Sequence, residues 1–273
     1  LNSRSARAVQ ATGSDALWAR IRREAEDVVA REPEFGGLVR ASVLGCATLV
    51  EAVGERIAAR LDHPMVGGDL IRHAFGEFFA ADEAAAPVLE ADLAAILDRD
   101  PAATRVLDAL LYFKGFHAIQ TQRLGHWLWR DGRRDFALYL QSRSADVFQV
   151  DIHPAVPMGR GLFVDHATGV VIGETATIGD EVSILQNVTL GGTGRQGGDR
   201  HPKIRRGVLI GAGATLLGAI EIGAGARIGA GSVVLNDVPP HVTVAGNPAR
   251  VLGDAGSIRP ALAMDQMVYD VGL

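Results

Sequence analysis

Three short runs hold the ionisable side chains best suited to chemistry: Asp151-Ile152-His153-Pro154, Asp165-His166 and Asp199-Arg200-His201. An unperturbed histidine titrates near pH 6.5, so it can take a proton from an alcohol at neutral pH. A carboxylate beside it fixes the tautomer and supports the imidazolium that forms. Asp151 and the Asp165-His166 pair stand fourteen residues apart. Taken singly, each run also reads as a surface or core histidine with a turn carboxylate. Zinc is the competing use for three histidines, and the single cysteine, Cys46, leaves no cysteine cluster to help it.

These residues lie on a repeat. Aliphatic side chains stand at Ile152, Met158 and Val164, then at Ile172, Ile178, Ile184 and Leu190. They resume at Ile204, Ile210, Leu216, Ile222, Ile228 and Val234. A six-residue period of this kind predicts a parallel β-helix, with one aliphatic residue per repeat pointing at the axis and glycine tolerated at the corners. Three repeats make one triangular coil of eighteen residues, a little more than the Asp151–Asp165 spacing, so stacked coils would bring that pair near each other. Between Leu190 and Ile204 the spacing is fourteen, two more than two repeats. A loop that leaves a regular solenoid is a common place for function, and this one carries Arg200 beside His201.

Before residue 150 the period is helical. Ser14 is placed to cap a helix carrying Leu17, Ile21, Ala25 and Val28. Leu49, Val53, Ile57 and Leu61 repeat at four until Asp62-His63-Pro64 stops them. Leu70, Ala74, Phe75, Phe78 and Phe79 form a third stripe, and Leu89, Leu93, Ile96 and Leu97 a fourth ending near Asp100-Pro101. Val106 to Trp129 reads as one or two helices, with Gly115 a bend or a close contact. Phe136, Leu138, Leu140 and Phe148 close the half. The expected organisation is an all-helical domain over 1–148, a β-helix over 149–252 and a tail over 253–273.

Composition narrows the classes. With 48% hydrophobic and 22% charged residues the 273-residue chain is globular rather than disordered. A net charge of −5 offers no footprint for nucleic acid or an anionic membrane. No apolar run reaches the roughly 18 residues that a span requires. The first dozen residues hold Arg4 and Arg7 without an apolar stretch, so no secretory signal is expected. One cysteine fits a reducing compartment.

The strings Asp165-His166-Ala167-Thr168-Gly169, Val188-Thr189-Leu190-Gly191-Gly192-Thr193-Gly194 and Gly198-Asp199-Arg200-His201-Pro202-Lys203-Ile204 closely resemble the serine O-acetyltransferases. The likeness reaches into the helical half at Arg99-Asp100-Pro101-Ala102 and Tyr112-Phe113-Lys114-Gly115-Phe116-His117. It covers roughly residues 15 to 250. It implies acetyl transfer from acetyl-CoA to L-serine, on the route to cysteine and without a metal. It also implies that the β-helix is left-handed, and that chains form trimers or dimers of trimers with active sites between neighbouring β-helices.

By the same resemblance His166 is the base and Asp151 its orienting acid. Asp100 and Asp165 receive the serine ammonium. Arg200, with His201, receives the carboxylate, because a guanidinium binds one through two parallel hydrogen bonds. Gly192, Thr193, Ala212 and Ala230 flank the pantetheine arm, and Lys203, Arg205 and Arg227 are phosphate candidates. L-cysteine is implied as a feedback inhibitor. O-acetylserine sulfhydrylase is implied as a partner of the C-terminal tail, although the chain ends in Leu273 where the family often has isoleucine. A cytoplasmic enzyme is the expectation. The alternatives are a hexapeptide acyltransferase for another hydroxyl, or a scaffold that only docks the sulfhydrylase.

Overall fold

The computed structural model describes residues 13–194 and 197–267. Apolar spacings of three and four in the first half become α1 (Gly13–Arg31), α2 (Gly36–Val39), α3 (Leu49–Leu61), α4 (Gly68–Ala81), α5 (Ala85–Arg99), α6 (Val106–Tyr112), α7 (Lys114–Arg130) and α8 (Arg134–Phe148). Ile21, Ala25 and Val28 are buried as their spacing demands, but Ser14 lies inside α1 rather than ahead of it. The cap that the sequence hides is at α3. There the Thr48 hydroxyl accepts the Glu51 N–H at 3.3 Å, and the Glu51 carboxylate reaches back to the Ala47 N–H at 2.7 Å. Leu70 and Leu138 are exposed because the buried stripes run one residue to the side, through Ile71, Ala74, Phe75 and Phe78 and through Ala137 and Leu140.

The second half coils. β1 (Val150–Ile152), β3 (Val170–Ile172), β6 (Thr189–Gly191), β9 (Thr215–Leu217) and β12 (Val233–Val234) stack in parallel as a first face. β4 (Thr177–Ile178), β7 (Lys203–Ile204) and β10 (Glu221–Ile222) make the second, extended by single bridges at Met158 and Val238. β2 (Phe163–Val164), β5 (Ser183–Ile184), β8 (Leu209–Ile210), β11 (Arg227–Ile228) and β13 (Val242–Gly246) make the third. Of the aliphatic positions of the repeat all but Met158 are buried. Ile172 aligns with Leu190, eighteen residues on, whereas Asp151 aligns with Val171, twenty residues on. The two extra residues of the first coil fall at the turn that carries His166.

The halves are welded together by groups that sequence patterning reads as surface. Asp92 of α5 is fully buried and takes Arg123 of α7 at 2.8 Å, the Gln120 amide at 2.9 Å and the Leu162 N–H of the first coil at 2.9 Å. Arg123 also donates to the Met158 and Gly159 carbonyls. Breaking such a buried pair by removing one partner costs about 3–5 kcal/mol, because the other charge is left uncompensated. Gly115 makes a close approach: a Cβ there would overlap the Val164 carbonyl, so α7 can press on the turn after β2 only with glycine at that site.

The described part of the tail folds back. β14 (Ala249–Asp254) pairs antiparallel with β13, and α9 (Pro260–Ala263) returns along the third face. The Ser183 hydroxyl donates to the Ala261 carbonyl at 2.8 Å. Arg227 is buried, donating to Thr243 Oγ1 at 3.1 Å and meeting Asp265 at 3.3 Å. It therefore pins the tail and is not an exposed cation for a phosphate. Leu273 lies outside the described residues. Among the described residues no helix is long and apolar enough to cross a membrane.

His117 of α7 is sealed in the helical core, with Nε2 donating to the Leu110 carbonyl at 2.7 Å and Nδ1 accepting from Arg60 at 3.1 Å. Burial, with the nearby Arg60 and Arg56, lowers its pKa to about 3. The folded state thus holds the ring neutral where the unfolded chain protonates it. The stability this ring contributes is complete above the unfolded value near 6.5 and falls by about 1.4 kcal/mol per pH unit below it, down toward the folded value. His117→Gln is expected to flatten the loss of thermal stability between about pH 6.5 and pH 4, measured as Tm against pH.

Candidate active site

The repeat places chemistry on two different edges of the prism. His166 stands at the edge where the third face turns into the first, just before β3. Both His166 (φ 54°) and Ala167 (φ 63°) adopt the left-handed conformation, which suits histidine better than alanine and marks a strained turn. The turn is held from the helical half by Gly115 against Val164 and by Lys114 donating to the Thr168 hydroxyl. His166 projects outward, its side chain 73% exposed.

The carboxylate beside the ring is Asp165, whose Oδ2 is 3.7 Å from Nε2. Asp151, the acid expected next to it, accepts the Gln141 amide at 2.6 Å. Asp151 is level with Val171, five residues after His166. Asp165 and Asp100 share a cavity of about 580 Å³ with Arg99 and with Met264 and Gln266 of the tail. Burial raises the Asp165 pKa above the ordinary carboxylate value, with His166 opposing and Asp100 adding to the rise. Asp100 also does what a residue before proline at a helix end would do, accepting the Ala102 N–H at 2.8 Å. Arg99, buried one position earlier, bonds the Ser183 hydroxyl at 3.0 Å and so ties the Asp100 end of α5 to the coil.

The second cluster lies where the first face turns into the second. His153, Glu174, Thr175 and the loop carrying Arg200 and His201 gather there. Arg200 Nη2 donates to Glu174 at 2.8 Å and Nη1 to the Gly198 carbonyl at 3.0 Å. That bond holds the Glu174 carboxyl below its usual range. His201 is buried; burial, then Arg200 and Lys203, lower its pKa. Burial also lowers that of His153, which meets Trp129 edge-on at 5.1 Å. Ala212 and Ala230 stack on the His166 edge, where the Gly231 N–H donates to the Ala212 carbonyl at 2.8 Å. Gly192 and Thr193 lie on the His201 edge. Lys203 and Arg205 are engaged by Asp199 and Glu221. One chain thus brings together Asp100, Asp165 and His166, and separately Arg200 and His201, with β3 between the groups. Among the described residues no cluster of His, Cys, Asp and Glu is arranged to hold a metal.

The family profile for the N-terminal region of serine acetyltransferases matches residues 17–121, and the bacterial hexapeptide transferase profile matches residues 201–236. The Escherichia coli (strain K12) serine acetyltransferase is 51% identical over 250 residues, 92% of each chain. The chain belongs to the serine acetyltransferase family. Among solved serine acetyltransferases, the Brucella abortus enzyme in complex with coenzyme A superposes with a TM-score of 0.86 at 56% identity. That match covers 88% of this chain and 96% of the other. The Neisseria gonorrhoeae enzyme in complex with serine superposes with a TM-score of 0.84 at 47% identity, covering 86% and 96%.

Glu174, Thr175 and Arg99 also border the site, through pairings between distant segments that local sequence does not show. Gly173 carries a signal that spacing alone could not interpret: a Cβ there would overlap the His201 ring. Gly173→Ala is expected to push His201 off its seat while the coil still forms. The expected readings are a far-ultraviolet spectrum and melting point close to the parent's, with acetyltransferase activity down by about tenfold or more, the scale of a displaced site group.

Proposed function

We propose that the chain transfers the acetyl group of acetyl-CoA to the hydroxyl of L-serine, giving O-acetyl-L-serine and CoA, on the route to cysteine. The observation that carries this reading is the acidic cavity lined by Asp100 and Asp165, with the projecting His166 beside Asp165. Two carboxylates in one partly buried space call for a cation, and an amino-acid ammonium supplies it. Seated there, the substrate brings its hydroxyl to the imidazole. A thioester is already activated, so no covalent enzyme nucleophile is required. His166 takes the hydroxyl proton as oxygen attacks the thioester carbon, and the imidazolium returns it as the thiolate leaves. Asp165 lies 3.7 Å from that ring, and Asp151 of the same coil is the orienting acid that the family likeness implies.

The carboxylate end asks for Arg200 and His201, which β3 separates from His166 within one chain. A neighbouring chain that sets its His201 edge against this His166 edge supplies them. We therefore favour a homotrimer, or a dimer of trimers, of left-handed β-helices, with serine held between two copies. Ala212 and Ala230 beneath His166 and Gly192 and Thr193 on the facing edge would then flank the pantetheine arm, small residues admitting a close backbone approach. L-cysteine offers the same ammonium and carboxylate and would compete as a feedback inhibitor. The remaining proposals follow the family likeness: a helical domain to residue 148, a catalytic coil to 252, a tail that docks O-acetylserine sulfhydrylase, and a cytoplasmic site of action.

The deciding assay is release of CoA with L-serine, L-threonine and glucosamine as acceptors. Release with serine alone supports the reading. A preference for glucosamine would favour a different hexapeptide acyltransferase, and no release with any acceptor would leave a scaffold. His166→Ala is expected to lower turnover by about a hundredfold or more, the scale of a lost general base; near-normal turnover in a correctly assembled variant removes the assignment. Arg200→Ala is expected to raise the KM for serine more than that for acetyl-CoA, and equal changes would mean that Arg200 does not receive the carboxylate.

A further inference from the structure

Thr175 is an ordinary residue in the sequence and a crowded one in the structure. Its hydroxyl oxygen accepts the Arg200 N–H at 3.0 Å and the His201 N–H at 3.1 Å. The same oxygen lies 2.8 Å from Nδ1 of the His201 ring. The Thr175 backbone N–H points at that Nδ1 as well, at 3.2 Å. A backbone N–H can only donate, so a proton on Nδ1 would meet a donor head-on. With both oxygen lone pairs taken by N–H groups, the hydroxyl has its own proton left to give. That proton goes to Nδ1 or to Asp199, which Lys203 also holds at 2.5 Å, and in either case the backbone N–H is aimed at Nδ1. Nδ1 is therefore an acceptor, and the ring proton sits on Nε2.

We propose that Thr175 is a positioning residue that locks His201 as the neutral Nε2–H tautomer, so that the second histidine of the site is a hydrogen-bond donor and not a base. The charged groups facing the ring agree. Arg200 and Lys203 oppose a third positive charge, and Glu174 and Asp199, which would favour it, are each paired with one of those two cations. Among the described residues none bonds Nε2, which leaves that nitrogen for a ligand oxygen: a substrate carboxylate, or the oxyanion of the tetrahedral intermediate. The division of labour between the histidines follows. His166, exposed beside Asp165, moves the proton, and His201 gives a hydrogen bond without changing charge. The tautomer stands on this chain's geometry alone; its use rests on the serine site proposed above.

The test is the nitrogen spectrum of full-length enzyme labelled with 15N-histidine, with His201→Gln identifying the His201 signals. In the parent and in Thr175→Ser, His201 is expected to show the neutral Nε2–H pattern at about pH 6.5, where an ordinary histidine is half protonated. Thr175→Val keeps the shape and removes the hydroxyl. It should let the Nδ1–H form or the imidazolium appear at that pH, with the KM for serine raised about tenfold and restored in Thr175→Ser. A parent His201 that titrates near its ordinary value overturns the lock, and a Thr175→Val enzyme with an unchanged pattern overturns the part of it assigned to the hydroxyl. An intact lock with serine binding indifferent to His201→Gln would instead overturn the placing of His201 in the serine site.

Discussion

An aliphatic side chain must fill the axis on each face of each coil, and that steric demand decides where chemistry can stand. Inward positions are closed to polar groups, because an unpaired one there would forfeit its hydrogen bonds to water. Outward positions on a flat face lie side by side and offer little concavity. The edges remain, where the chain turns and two or three residues escape the ladder. Both clusters of ionisable groups lie at edges. The first coil gains its two additional residues at one edge, and the long loop of the third coil leaves from another.

A solenoid alone offers its edges as open ridges, and the helical half converts one of them into a cavity. α5 ends at Asp100 against the His166 turn, and α7 begins on it through Lys114 and Gly115. The position of α5 is not left to soft apolar packing. Asp92 and Arg123 lock it to α7 and to the first coil through directional bonds at full burial. Arg99 does the same near the cavity through Ser183, whose hydroxyl in turn holds the tail at Ala261. A carboxylate delivered by one half to a turn of the other needs this stiffness, since Asp100 and Asp165 repel each other.

The periodic features were legible in the sequence. The aliphatic ladder announced the coil because nothing else fits the axis, and Gly115 announced a contact because no side chain fits beside Val164. Asp165, His166, Arg200 and His201 stood out by type and spacing. What stayed hidden was set by pairings between distant segments. Asp92 and Arg123 carry no local signal, Arg227 reads as a phosphate candidate, and all three are buried. Asp151 takes the Gln141 amide of α8, a partner that its own run does not announce. Thr175 carries no local signal, because its importance lies in what a loop twenty-five residues later lays against it.

The separation of the two clusters by β3 has a genetic corollary. Under the proposed pairing, no copy can complete a reaction centre with its own two edges. Lesions on opposite edges then behave as complementary alleles: two inert polypeptides, co-expressed, would rebuild some whole centres where their sound edges meet. A copy damaged on both edges would do the reverse, poisoning assemblies it joins.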